Sequence, residues 1–440
     1  MKKIIIALSL VLSTMSVPAT AAGNDSPPSP RCAYDPKVPK AWKEYQDKAR
    51  NHTCLYTFRY VKSKLTKEQP KTVQSNRSEL LPTQQCRLEM FPDWNKQAAA
   101  GDIVNPHYKL LIIPFQSPDY KVKTNPQKDY KDWFKGMEDM IKNMSDVPTT
   151  FDIIIPDKYF MIQNTIKSYD VGDKWIRGNG QGHPDQAQPN FARLAEDVVR
   201  AADSEIDFSV ANHIWIVGPP TTKRKDLMNY ANYRQVIQTN EKSFTRIYVT
   251  DHPYNYDVKR FTGAGPVGQL HEWMHSSGTL STELGLGPWG LTAMMEAEML
   301  AWDKWMTNMI TDDQVRCAPM NKGTTHWLKP SSIKGGHEKL LMIPLNRYQS
   351  VVLESIRSTG YNFKIPKCQT GVLIYTIDRH QFQNGFNLVQ SPGKKKKCAY
   401  SKPEELAALQ KGESVDVWGS RITIIESGDF GDVIKVEPVQ

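Results

Sequence analysis

His271, Glu272, Trp273, Met274 and His275 spell HExxH, a spacing with a chemical consequence. At helical pitch two imidazoles four residues apart lie one above the other on a single face. Glu272 then points to the neighbouring flank, where it can hold a metal-bound water. Neutral imidazoles are good zinc ligands and a carboxylate beside activated water is a general base, so the pattern points to zinc-dependent hydrolysis. Two hydrogen-bonded histidines on an ordinary amphipathic helix would give the same letters, and context separates the two cases. Pro266 suits a first helical turn, Val267, Leu270 and Met274 make an apolar stripe beside the histidine face, and Gly278 is a stop just past the end. Water as the nucleophile needs no acyl-enzyme, and the chain has neither a GxSxG elbow nor a papain-like CGSC stretch.

Such a helix must be held by a sheet, and the residues before it supply one. Leu110–Phe115, Ile153–Ile155, Ile214–Val217 and Ile247–Thr250 are short apolar or β-branched runs bounded by Pro, Asp or Gly, as buried strands are. Between them Trp133, Met137, Met140, Ile141 and Met144 share one helical face, as do Phe191, Leu194, Ala195, Val198 and Ala202. Two amphipathic helices are therefore expected to pack on that sheet, with the methionines as core. After the motif, Met294, Met295, Leu300, Ala301, Trp302, Trp305 and Met309 predict a long apolar helix, with Asp303 and Lys304 as an exposed ion pair of little energetic weight. Trp289, Trp302 and Trp305 read as core aromatics. Past Cys317 the strand-like runs Leu340–Leu345, Ser350–Glu354, Gly371–Ile377, Arg421–Ile425 and Asp432–Val436 predict an antiparallel β-rich region. The expected fold class is α+β, with a catalytic part over 106–317 and a β-rich domain over 318–440.

The first 22 residues, with Lys2 and Lys3, an apolar run from Ile4 to Met15 and then Ala19, Thr20 and Ala21, read as a secretory signal of bacterial type. Residues 23–31, rich in Pro and polar groups, read as a disordered leader. Residues 32–105 form a cysteine-containing N-terminal region. The expected location is secreted or periplasmic, and no later run reaches the roughly 20 apolar residues of a membrane helix. Six cysteines in an exported chain imply disulfides. Cys32, Cys54 and Cys86 fall in one group and Cys317, Cys368 and Cys398 in another, so full pairing needs at least one bridge between the groups. The net charge of +9 falls to +7 once Lys2 and Lys3 leave. The basic residues are spread out, without a stripe of interleaved aromatics, which excludes nucleic-acid binding as the expected function. Lys394 to Lys397 read as a solvated loop. Protein or peptide substrates are the expected partners, and oligomeric state leaves no mark in the sequence.

A set of segments in fixed order carries a resemblance. It comprises Ala201 to Ser209, the strand at Ile214–Val217, the HExxHxxG run His271 to Gly278, the Trp289-Gly290-Leu291 turn leading to Met294, and Leu300 to Trp305. Val352 to Glu354, Gly371 to Tyr375 and the final strands extend it. From about Tyr108 onward the chain resembles the immune-inhibitor-A-like secreted zinc metallopeptidases. The resemblance implies a zincin-like catalytic domain, Zn2+ as cofactor, and endopeptidase action on extracellular proteins. Met294 or Met295 would then pack beneath the metal.

The chain also departs from that family. The family pattern runs HExxHxxGxxD, its last acid being the third zinc ligand, but this chain has Ser281 there, and a serine hydroxyl is a poor zinc donor. Glu283, two residues on and one methylene longer, is the first candidate replacement beside His271 and His275. Glu296 and Glu298 are the alternatives. Loss of the third ligand altogether would make the chain a pseudopeptidase acting as a secreted binding or adhesion protein.

Overall fold

The computed structural model describes residues 68–89, 107–172, 184–223, 225–228, 230–232, 236–244, 247–250, 270, 273–274, 286, 289–291, 298–362, 365, 369–381, 385–391 and 407–439. The architecture is mixed α/β, with few helices and several sheets among these residues.

The first half is built on β1 (His107–Gln116), α1 (Pro126–Met144), β2 (Thr150–Ile154), β3 (Phe160–Met161), α2 (Ile166–Tyr169), α3 (Pro184–Ala202), β4 (His213–Val217), β5 (Tyr230–Asn232), β6 (Ile237–Gln238), β7 (Ser243–Phe244) and β8 (Ile247–Thr250). One sheet runs β2-β1-β4-β8-β5, with β3 beside the end of β1. β2, β1, β4 and β8 are parallel and β5 runs antiparallel to β8 at the edge. Parallel strands are buried on both faces, and the alternation of side chains sorts them. Tyr108, Leu110, Ile112, Trp215, Val217 and Tyr248 enter one core with α1. Their neighbours Leu111, Ile113, Phe115, Ile214, Ile216, Ile247 and Val249 enter a second core with α3. The sheet is thus the middle layer, with the two helices on opposite faces.

α1 starts where the side chain of Asn125 accepts the Gln127 N–H (2.8 Å) and Pro126 occupies the first turn. It buries Tyr130, Phe134, Met137, Met140, Ile141 and Met144 at steps of three and four. α3 does the same with Phe191, Leu194, Ala195, Val198 and Ala202. Asn143, part of a glycosylation sequon, spends its side-chain amide on the Tyr361 hydroxyl (2.9 Å), a structural use.

The second half comprises α4 (Ala301–Met306), β9 (Val315–Cys317), β10 (Thr324–Leu328), β11 (Leu340–Pro344), β12 (Gln349–Ile356), β13 (Gly371–Asp378), β14 (Phe386–Leu388), β15 (Ser414–Val417), β16 (Ser420–Gly428) and β17 (Gly431–Pro438). One sheet runs β14-β13-β12-β11-β9 and the other β10-β17-β16-β15. All neighbours are antiparallel except β9 and β11. Leu341, Ile343, Val351, Leu353, Val372 and Ile374 face the other sheet's Ile422, Ile424, Ile434 and Val436. The opposite face of the five-stranded sheet carries Leu340, Met342, Val352, Leu373, Tyr375 and Ile377, and packs on Trp302 and Trp305 of α4. β9 joins this sheet although it precedes residue 318, so the β-rich unit gathers chain from Val315 onward.

Residues 68–89 lie along this β-rich unit. The N–H groups of Ser75, Leu81 and Glu89 donate to the carbonyls of Thr325 (2.9 Å), Cys317 (2.9 Å) and Arg347 (2.7 Å). Cys86 is disulfide-bonded to Cys317, a bridge between the two cysteine groups. The other four cysteines lie outside the described residues. No helix among the described residues is long and apolar enough to cross a membrane.

Two expectations are corrected. The long helix from Met294 to Met309 is not continuous: Leu300 is extended (φ −62°, ψ 154°), α4 covers only Ala301–Met306, and Asn308 turns left-handed at φ 55°. An apolar run at helical spacing also describes a capped short helix flanked by buried coil. Asp303 and Lys304 are not an exposed pair. They are 0% and 1% exposed, and the partner of Lys304 is Glu298.

Candidate active site

Of the HExxH stretch, Trp273 and Met274 are described, with Leu270 one turn before. All three are helical and fully buried. Their i, i+3, i+4 spacing makes one core-facing stripe, in the same cluster as α1, Tyr108, Trp215 and Tyr248. Trp273 is fixed by two edge-on aromatic contacts, to Tyr108 (ring centroids 5.0 Å, 89°) and Phe151 (5.6 Å, 85°). Leu270, Trp273 and Met274 therefore pack on the sheet face occupied by α1. His271, Glu272, His275, Ser281, Glu283 and Glu296 lie outside the described residues, as do Met294 and Met295. Among the described residues, no three His, Cys, Asp or Glu side chains converge as metal ligands.

Downstream, Gly290 has φ +82°, and a Cβ there would stand 3.0 Å from Leu300 Cγ. The Trp289-Gly290-Leu291 turn thus needs its glycine both for its left-handed backbone and for the close approach of Leu300. Leu291 and Met299 return to the core that holds Trp273.

Glu298, one of the alternative third donors, is described and fully engaged. Lys304 Nζ donates to its Oε1, and the Tyr361 N–H donates to its Oε2 (3.0 Å). Its own N–H donates to Asn362 Oδ1 (3.1 Å). Gly360, at φ +59°, lets the backbone pass so close that a Cβ would lie 2.2 Å from Glu298 Oε2. Both oxygens have protein donors and a cation neutralises the charge, so this carboxylate is spent on structure.

Around it lies a buried ionic network that no sequence motif announces. Lys339 pairs with Asp146 (2.5 Å), which also accepts from Gln314 Nε2 (2.6 Å) and the Gly335 N–H (3.1 Å). Burial, then the charge of Lys304, pulls the Lys339 ammonium down to about 8, with Asp146 opposing. For Asp146 burial acts upward, but the charge and hydrogen bond of Lys339 outweigh it and hold the carboxyl below its ordinary range.

Glu354 accepts the Ala301 N–H (3.0 and 3.1 Å), the Ser331 hydroxyl (2.9 Å) and the Tyr375 hydroxyl (3.1 Å). Burial raises it to about 7 against these donors. Asp303, wholly buried and without a hydrogen bond to either oxygen, is raised to about 8 by burial and then by the charge of Glu354. The one available signal was Asp303 and Lys304 sitting between Trp302 and Trp305 in an apolar run, a context in which charges are buried rather than solvated.

No protein-family model matches the chain, and no curated protein matches it in sequence.

Proposed function

We propose that the chain is an exported zinc metalloendopeptidase that hydrolyses peptide bonds of extracellular proteins, with a zincin-like catalytic domain of the immune-inhibitor-A-like kind. The observation that carries this reading is the helical, fully buried set Leu270, Trp273 and Met274, seated on the sheet face shared with α1. A HExxH on a helix anchored to a sheet is what the chemistry requires, because both imidazoles must be held in one geometry before the metal arrives.

In this reading His271 and His275 hold the zinc, with Glu283 as the third donor and Glu296 next. Glu298 ranks last, since its oxygens are already bound to Lys304 and Tyr361. The zinc, when bound, supplies Lewis acidity for the scissile carbonyl and makes water a usable nucleophile near neutral pH. Glu272 takes the proton of the attacking water and returns it to the departing amine. Export agrees with the basic and then apolar N-terminus and with the Cys86–Cys317 disulfide.

Ser281, standing where the resembled family has its acid, motivates a second reading as a secreted binding protein that has lost catalysis. Zinc content and hydrolysis of an unfolded protein substrate separate the two. The expected result is one zinc per chain, with Glu272→Gln keeping the metal and losing activity by about 100-fold or more. Zinc lost in Glu283→Ala but not in Glu296→Ala identifies the third donor. A parent chain with neither zinc nor activity establishes the second reading, and full activity in Glu272→Gln removes the proposed base.

A further inference from the structure

Among the described residues, buried cations come with acceptors, with one exception. Lys304 has Glu298, Lys339 has Asp146, and Arg316 has the Ser75 carbonyl (2.5 Å), Gln74 and His326; the half-buried Arg357 has Asp432 (2.9 Å). Arg379 is 5% exposed and its guanidinium has no acceptor among the described residues. Its backbone N–H is satisfied by Tyr348 O (2.9 Å), but Nε is enclosed without a partner. The position follows from strand periodicity. Leu373, Tyr375 and Ile377 point from β13 into the core that holds Trp302, and Arg379 continues their parity. Its guanidinium carbon lies 5.6 Å from the Trp302 ring centre, and Trp302 is itself braced edge-on by Phe386 (5.2 Å). The adjacent Asp378 gives its oxygens to Gln349 (3.0 Å), Gln381 (3.3 Å) and His380 (2.9 Å).

An unpaired buried charge is costly, and arginine does not escape by deprotonation at neutral pH. Burial alone brings Arg379 down to about 9, which leaves it charged. The indole face stabilises a guanidinium but gives its N–H donors no oxygen. The geometry points to a binding site for one carboxylate, held by the Arg379 fork against Trp302 and Phe386. Carboxylate fits better than phosphate or sulfate for two reasons. Its two oxygens match the guanidinium edge, and its single charge balances a single cation where no second one stands among the described residues. This inference is independent of whether the chain cleaves peptides.

The test is the unfolding midpoint of the full chain at fixed ionic strength, titrated with acetate, N-acetylglycine, acetamide and chloride. Acetate is expected to raise the midpoint saturably, by about 2 °C or more, whereas neutral acetamide leaves it unchanged. A stronger response to N-acetylglycine assigns the site to a peptide C-terminus, and a response to acetate alone assigns it to a small free carboxylate. Arg379→Met and Arg379→Gln are expected to abolish the response, with Arg379→Met at least as stable as the parent without added carboxylate, since an unpaired charge has been removed. Three results overturn the inference. They are no response in the parent, an equal response to chloride, or an unchanged response in both variants.

Discussion

Asp303→Asn should change how stability depends on pH while leaving the fold intact. In the folded chain the Asp303 carboxyl lies at about 8, against an ordinary 3.8, because it is wholly buried beside Glu354. Below about pH 4 the carboxyl is protonated in both the folded and the unfolded chain and adds nothing. Between about 4 and 8 the unfolded chain releases the proton and the folded chain keeps it, so folding becomes less favourable as pH rises; above about 8 the difference is constant. Four units at about 1.4 kcal/mol each give a loss on the order of 5 kcal/mol over that range, shared with Glu354 because the two carboxyls titrate as a pair. Asparagine is neutral at every pH and nearly isosteric, so it abolishes the term. The assay is urea unfolding of parent and variant from pH 5 to pH 8.5, taking the difference at each pH so that all other titrations cancel. Asp303→Asn should gain on the parent by about 3 kcal/mol between pH 5 and pH 8, and by about 1 kcal/mol if only half the shift is realised. A parent-to-variant difference that stays constant, or that moves the other way with pH, refutes a neutral buried acid at this position.

Glu298→Gln leaves the Lys304 ammonium buried without its counter-charge, and a loss of about 3–5 kcal/mol by denaturant unfolding is expected, with zinc content unchanged because its oxygens serve the fold. Zinc lost at unchanged stability would return Glu298 to the metal. Removing the disulfide with Cys86→Ser and Cys317→Ser opens a loop with a sequence separation of 231, worth about 5 kcal/mol in the chain-entropy view; a drop in the melting temperature of the double variant, with both proteins kept oxidised, checks it.

The strands were legible in the sequence because each is a short apolar run whose alternate residues serve different cores, as in Leu110 to Phe115 and Ile214 to Val217. α1 and α3 were legible by the same logic at helical period. The bridge between cysteine groups followed from their count, but the choice of Cys86 and Cys317 did not, since pairing depends on β9 lying beside residues 81–86 in space. The buried charges were illegible for a physical reason. Whether Asp303 and Lys304 face water depends on what covers α4, and the cover is a sheet whose strands begin at residue 315 and end at residue 388. A local window contains neither Glu354 nor Tyr375, so it reads adjacent opposite charges as a solvated pair. Arg379 was missed likewise, because its core-facing parity shows only once Ile377 and Tyr375 are known to pack on Trp302.

Among the described residues the two halves of the protein share no sheet, and polar groups carry much of their joint. Asp146 N–H donates to the Met309 carbonyl (2.8 Å), Asn143 bonds Tyr361, and Asp146 meets Lys339, Gln314 and Gly335. Burying ions is seldom the cheapest way to stabilise a junction, since apolar side chains of similar size often do as well or better. What ions and hydrogen bonds add is direction. Each oxygen of Glu298 has its own donor, so residue 298 has one position relative to Tyr361, and the Tyr361 ring lies in the core that also holds Trp273. The chain on both sides of residues 292–297 is thereby tied to Trp273, through Leu291 and Met299 in the core and Glu298 in the ionic network. For the proposed metal site, whose donors must meet within tenths of an ångström, that fixed geometry matters more than the stability forgone.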